Sequence, residues 1–157
     1  MQTRQIRGAV TAAVMALALT ACGGGGGDEE EAASPGTDVA ESPSFEAGTT
    51  MARLSQAGAI TVGTKFDQPL FGLKNLKGVP EGFDPEIAKI IAGELGIKPG
   101  KIRWVETVSA NREPFVQQGK VDIVVATYTI NDKRKQIVDF AGPYYVAGQD
   151  VLVLEEN

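Results

Sequence analysis

Val121-Asp-Ile-Val-Val-Ala126 runs into Thr127-Tyr-Thr129, and Asn131-Asp-Lys-Arg134 follows at once. A short β-branched run of this kind reads as a buried strand, and the polar residues after it open a short helix from about Asn131 to Val138. A strand that empties into a helix start is the repeating unit of an α/β layer. The same change of period recurs upstream. Ala59-Ile-Thr-Val-Gly-Thr64 reads as a first strand. Phe83 to Gly96 has helical spacing, with Ile87, Ile90, Ile91 and Leu95 on one face. Asp84 suits its N-cap, Pro85 its first position and Gly96 its stop. Ile102 to Val108 is a second strand; Ser109 can cap a helix to about Gln118, which Gly119 ends. Tyr144 to Leu154 reads as one extended segment. Strands alternating with helices predict right-handed βαβ units and a mostly parallel sheet covered on both sides.

Composition removes several chemistries. The chain has no histidine and a single cysteine, Cys22. Ser-His and Cys-His nucleophiles, imidazole zinc sites and a disulfide framework are therefore excluded. No metal or cofactor is expected. The net charge of -5 belongs to one region. Asp28, Glu29, Glu30, Glu31, Asp38, Glu41 and Glu46 lie between Cys22 and Ala52 without a single base, whereas acids and bases balance from Arg53 onward. Nothing resembles the clustered Lys and Arg of a nucleic-acid face.

The start of the chain reads as an export signal. Arg4 and Arg7 precede an uncharged, Ala-, Val- and Leu-rich run from Gly8 to Ala21. That run is too short for a ~30 Å hydrocarbon core, which needs about 20 residues as a helix. Ending on Leu19-Thr-Ala-Cys22, it resembles a bacterial lipoprotein signal, which implies lipidation of Cys22. Residues 1–21 are thus expected as signal peptide. Residues 22–52, rich in Gly, Ser, Pro and acids, are expected as a disordered tether that holds the rest outside the cell membrane.

In open α/β sheets, ligands sit beyond the carboxyl ends of the strands. Here those places are Lys65 to Phe71, Val108 to Arg112 and Thr127 to Arg134. The third combines two hydroxyls with Lys133, Arg134 and Lys135 at a helix start, where cations oppose the helix dipole at about 0.3–1 kcal/mol each. An anion would reverse that penalty, and a bidentate Arg134 with the Thr129 hydroxyl would suit a carboxylate. On the residues alone, a solvated basic turn explains the pattern equally well.

Ala126 to Tyr145 resembles the corresponding stretch of the family 3 solute-binding proteins, the polar amino-acid receptors of ABC importers. The family pattern there is Ser/Thr-x-Ser/Thr, then Arg, then Asp-Phe-x-x-Pro-Tyr; here it is Thr127-Tyr-Thr129, Arg134 and Asp139-Phe-Ala-Gly-Pro-Tyr144. Gly82-Phe-Asp-Pro-Glu-Ile87 resembles the family's signature segment, departing from it at Pro85. Gly63-Thr-Lys-Phe-Asp-Gln-Pro69, Ser109-Ala-Asn-Arg-Glu113 and Ala147-Gly-Gln-Asp150 resemble its glutamate-binding lipoproteins. The likeness runs in register from about Ala59 to Val153.

The resemblance implies a type II periplasmic-binding-protein lobe and a binding role rather than an enzyme. Arg134 would hold the ligand α-carboxylate with Thr129, and the Thr127 carbonyl would accept from the α-ammonium. Lys65 would meet a side-chain carboxylate. Phe66, Asp67, Gln68 and Arg112 are further candidate contacts, Phe66 or Phe71 as a pocket wall. Glu86 and Glu113 are expected to serve helix starts. The implied partners are a free amino acid, glutamate first, and a membrane permease, with the protein a monomer. A sensor lipoprotein on the same lobe, or a periplasmic dehydratase on this scaffold, are the competing roles.

Residues 53–143 would form the N-terminal part of lobe 1, and residues 144–157 a strand crossing towards a second lobe that this sequence lacks. Family members enclose ligand between two lobes. The resemblance therefore implies an incomplete lobe, a truncated chain and negligible glutamate binding by it alone.

Overall fold

The computed structural model describes residues 38–155. The signal peptide, Cys22 and the first part of the expected tether lie outside them.

β1 (Ile60–Thr64) is the centre of the main sheet. β5 (Ile102–Glu106) and β6 (Ile123–Val124) run parallel to it on either side, in the order β5-β1-β6. The register sets Ile60 against Ile102, Thr64 against Glu106 and Val62 against Ile123. A strand paired on both edges and covered by helices has little use for polar side chains. Accordingly Ile60, Val62, Gly63 and Thr64 are all buried.

α2 (Phe83–Glu94) lies between β1 and β5 in the chain, and α3 (Arg112–Gln117) between β5 and β6. The alternation expected from the sequence is therefore present. The face of α2 is not the expected one. Ala88 and Ala92 are fully buried, whereas Ile90 and Ile91 are more than a third exposed. Ile87 and Leu95 do reach the core. Small side chains let the helix lie close on the sheet, and Ile90 and Ile91 are turned outward.

The start of α2 also differs. Its N-cap is Gly82, at φ 127°, and Pro85 is its third residue. The Phe83 and Asp84 N–H groups donate to the carbonyls of Leu70 (2.8 Å) and Phe71 (2.9 Å). Those carbonyls satisfy the orphan donors of the first turn, so Asp84 is not needed as a cap. A Cβ at Gly82 would lie 2.7 Å from the Phe71 carbonyl carbon. Only glycine accepts both the backbone angle and that approach.

Two further features are absent from the sequence pattern. A small antiparallel sheet joins β1 to α2: β2 (Asp67–Gln68), β3 (Gly72–Lys74) and β4 (Pro80–Glu81). Its strands are too short to show alternation. Ahead of β1, α1 (Thr50–Ala57) crosses the boundary expected between tether and lobe. Thr49 Oγ1 caps it by accepting from the Ala52 N–H at 3.2 Å, and Gly58 closes it at φ 62°.

The lobe also begins before Arg53. The Ala40 N–H donates to the Gly93 carbonyl at 3.0 Å, and Phe45 packs against the core. Any Cβ at Gly93 would collide with the Asp38 carbonyl. The end of the stretch expected to be a tether is therefore bound along α2.

The last elements are shorter than expected. β6 pairs over two residues, although the Asp122 and Val125 N–H groups extend its bonding to Thr61 and Gly63 of β1. Ser109 opens a 3₁₀ turn, Ser109–Asn111, without capping it. α4 (Asp132–Lys135) is a single turn, capped by the Asn131 side chain, which accepts from the Arg134 N–H at 3.0 Å. Beyond Val138 the chain forms no helix or strand up to Glu155, and residues 141–155 are all exposed.

Candidate functional site

The three loops beyond the strand ends lie as follows. Thr127, after β6, takes φ 44°, a left-handed angle that costs a branched residue of order 1–2 kcal/mol. Two contacts hold it there. Its N–H donates to Asp84 Oδ2 at 2.8 Å, and its Oγ1 donates to Gln68 Oε1 at 2.9 Å. Gln68 of β2 and Thr127 are thereby brought together across 59 residues of chain.

Asp84 is fully buried. Its second oxygen accepts from the Tyr144 hydroxyl at 2.9 Å. Burial holds the Asp84 carboxyl above the usual aspartate range, and the Tyr144 and Thr127 donors, with Arg112, pull it back down. Burial, then the carboxylate beside it, pushes the Tyr144 phenol well up.

The next residue, Tyr128, gathers the cations. Arg134 Cζ lies 4.7 Å from its ring centre and Arg112 Cζ 5.0 Å. Phe140 packs on the same ring at 5.1 Å. Arg134 also donates from Nη1 to the Thr129 carbonyl at 2.7 Å, and its Nε is 3.3 Å from Glu113 Oε1. Arg112 is 6% exposed, with its Nε buried and unpartnered. Burial, then the neighbouring Arg134, pulls its pKa below the usual arginine value. Two guanidinium groups thus share one aromatic ring, and Glu113 is the one carboxylate in salt-bridge contact with either of them among the described residues.

Burial pushes the Tyr128 phenol up to about 12, helped by the adjacent Glu113. Its hydroxyl is buried beside the Glu113 carboxylate.

Arg134, Arg112, Thr129, Thr127 and Gln68 therefore lie in one neighbourhood around residues 127–129. Arg134 and Thr129, expected to share a ligand carboxylate, are joined here through the Thr129 carbonyl. Lys65, Phe66 and Asp67 make other contacts. Lys65 Nζ pairs with Asp67 Oδ1 at 3.0 Å, and the Phe66 ring receives Lys74 Nζ at 5.0 Å. Lys65 is therefore already neutralised.

Sequence reasoning missed four participants. Asp84 looked like a cap, Glu113 like a helix-start acid, and Tyr128 a spacer between two Thr residues. Tyr144 carried a signal only as the last residue of the Asp-Phe-x-x-Pro-Tyr run. Among the described residues no group of His, Cys, Asp or Glu could hold a metal ion.

Paired cations thus lie beyond the strand ends of this lobe. The chain belongs to the bacterial extracellular solute-binding proteins, family 3, whose model matches residues 60–157. It is 34% identical to the glutamate-binding protein GluB of Corynebacterium efficiens, over 98% of this chain and 47% of that one. It is 40% identical to the glutamine-binding protein of Geobacillus stearothermophilus, over 76% of this chain and 47% of that one. The chain thus spans about half the length of these curated relatives. Among solved structures, a mutant of domain 1 of TmArgBP, from T. maritima, in its arginine-bound form is 31% identical with a TM-score of 0.56. That match covers 62% of this chain and 74% of the other. The fold is that of a type II periplasmic-binding-protein lobe.

Proposed function

We propose that this chain forms the first ligand-binding lobe of a lipid-anchored receptor that delivers glutamate to an ABC permease. The observation that carries the reading is the pair of guanidinium groups on Tyr128, with Glu113 the one carboxylate in salt-bridge contact with them among the described residues. Two cations held this close repel each other, and a second anion would relieve that. The α-carboxylate of an amino acid supplies one. Arg134 is its anchor, and Arg112, whose Nε lacks a partner, is a second cation for a dicarboxylic ligand. The Thr127 carbonyl takes the ammonium group, and Gln68 flanks it. Lys65, held by Asp67, is a weaker candidate for the side-chain carboxylate than the sequence suggested. Phe66, under Lys74, is set aside as a pocket wall.

Glutamate is preferred over glutamine because only Glu113 is in salt-bridge contact with the two guanidinium groups among the described residues; both ligands occur in the names of relatives. The Leu19-Thr-Ala-Cys22 pattern supports the lipid anchor at Cys22. The arginine-bound domain 1 of TmArgBP favours a lone lobe that holds ligand, against the expectation of negligible binding. A complete site of about micromolar affinity that loses two charged hydrogen bonds of roughly 2 kcal/mol each is left with binding of about millimolar strength.

Titration calorimetry of the chain with glutamate tests this. Arg134→Met is expected to weaken glutamate binding at least ~tenfold, since one charged hydrogen bond is worth that much. Equal affinity in the variant, or no heat at ~10 mM glutamate with the unsubstituted chain, would sink the reading.

A further inference from the structure

Asp84 joins three segments that are remote in sequence. Its own N–H and that of Phe83 hold the Leu70 and Phe71 carbonyls, which fixes the loop that carries Gln68. One carboxylate oxygen takes the Thr127 N–H, and the other takes the Tyr144 hydroxyl. The separations are 43 and 60 residues. A carboxylate that is fully buried, yet has both oxygens occupied by donors from different segments, is costly to place unless those donors are held with it.

Thr127 is the segment that most needs holding. A non-glycine residue at φ 44° persists only where its surroundings over-determine it. The Asp84 and Gln68 contacts are those surroundings. Tyr144 is the polar tie on the other side. It belongs to the exposed stretch after Val138, but its hydroxyl reaches inward to the same carboxylate, while its ring meets Phe83 at 6.1 Å.

We infer that Asp84 is a positioning residue of the ligand site, locking the strained Thr127 turn and coupling it to the Tyr144 segment. A displacement of that segment withdraws a donor from Asp84 and is felt at the residue whose carbonyl faces the ammonium group. The ligand part of this inference rests on the receptor reading above; the coupling part does not.

Amide hydrogen exchange, read by NMR in the ligand-free chain, separates the two. Asp84→Asn keeps the shape and removes the charge. The Thr127 amide should then exchange at least ~tenfold faster, because a hydrogen bond to a charged group becomes an ordinary one. Tyr144→Phe removes only the second donor, and a roughly threefold acceleration at Thr127 is expected. Tyr145→Phe, whose ring contacts with Phe71 and Phe83 survive, should change nothing there. Glutamate affinity should fall in Tyr144→Phe by about the same factor as the exchange rises, with the far-ultraviolet spectrum unchanged.

Thr127 exchange that is unaltered in Tyr144→Phe, or altered as much in Tyr145→Phe, overturns the coupling. Faster exchange with unchanged glutamate affinity reduces Asp84 to a structural role and overturns the positioning. Faster exchange in a chain that binds no glutamate leaves the coupling standing and removes the receptor reading, and the positioning role with it.

Discussion

β1 and Val151-Leu-Val-Leu154 are two branched-apolar runs of the same chain, and they have opposite fates. β1 has β5 on one edge, β6 on the other, and Ala88 and Ala92 in the core beside it. Ile60 and Val62 are at most 2% exposed. Val151 to Leu154 has no ladder, and its side chains are 57% to 99% exposed. Similar side chains give a strand in one place and bare backbone in the other. Intrinsic preference nominates a segment as extended, but backbone partners decide whether it becomes a strand. An exposed apolar run outside any ladder is also where another chain can add.

The sharpest way to break that comparison is to truncate one residue in each region. Ile60→Ala is expected to cost about 2–5 kcal/mol of stability, from lost transfer energy and the cavity left behind. Leu152→Ala is expected to stay within about 0.5 kcal/mol, because nothing packs on it. Urea unfolding followed by circular dichroism measures both. A Leu152→Ala cost comparable with that of Ile60→Ala would mean that the terminal stretch is buried in solution and that the contrast is false.

The same contrast governs what the sequence could reveal. β1, β5 and α2 are legible because each is long enough to display its period, and burial on the sheet enforces it. The stripe of α2 was misplaced because Ile is the conspicuous residue, whereas close contact with the sheet selected Ala88 and Ala92. β2, β3 and β4 were invisible, since two or three residues carry no period. In the site, Arg134 and Thr127 stood out through the Thr-x-Thr and Arg pattern. Their restraints did not. That Asp84 serves the Thr127 turn and not its own helix is a long-range fact, and no local signal distinguishes the two. Arg112 over Tyr128 is of the same kind.

One tyrosine of the packed lobe and one of the exposed stretch carry the contrast into titration. Tyr128 sits in the lobe with its folded pKa raised from 10.0 to about 12 by burial, and Tyr144 belongs to the exposed stretch with its pKa raised in the same direction. For an acid whose pKa is raised on folding, the unfolded chain releases its proton first as pH climbs. Stability is therefore complete below pH 10 and is lost as pH rises towards about 12. The thermal midpoint should fall across that window. Tyr128→Phe should flatten the fall, and Tyr144→Phe should flatten it further when combined. A flat profile in the unsubstituted chain would show that both hydroxyls are solvated. Flattening by Tyr128→Phe alone would show that the stretch after Val138 is not tied to Asp84.

The smallest expected effect probes whether polar contacts, rather than buried partners, hold the edge of the lobe. Arg53 on α1 pairs with Asp122 ahead of β6, Nη2 to Oδ1 at 2.9 Å, with the arginine side chain 62% exposed. Asp122 also accepts the Thr61 N–H of β1 at 2.8 Å through its other oxygen. An exposed ion pair gains little Coulomb energy in water and is screened by salt, so Arg53→Met should cost only about 0.2–1 kcal/mol, less at high salt. Asp122→Ala should cost more than Arg53→Met, since it also leaves the Thr61 N–H without its acceptor. A double-mutant cycle in urea isolates the pair itself. If Arg53→Met alone exceeded about 2 kcal/mol, beyond the usual range for such pairs, then α1 would be held by charge and not by the burial of Ala52 and Leu54. Partner burial would then cease to explain why one apolar run in this lobe is a strand and the other is not.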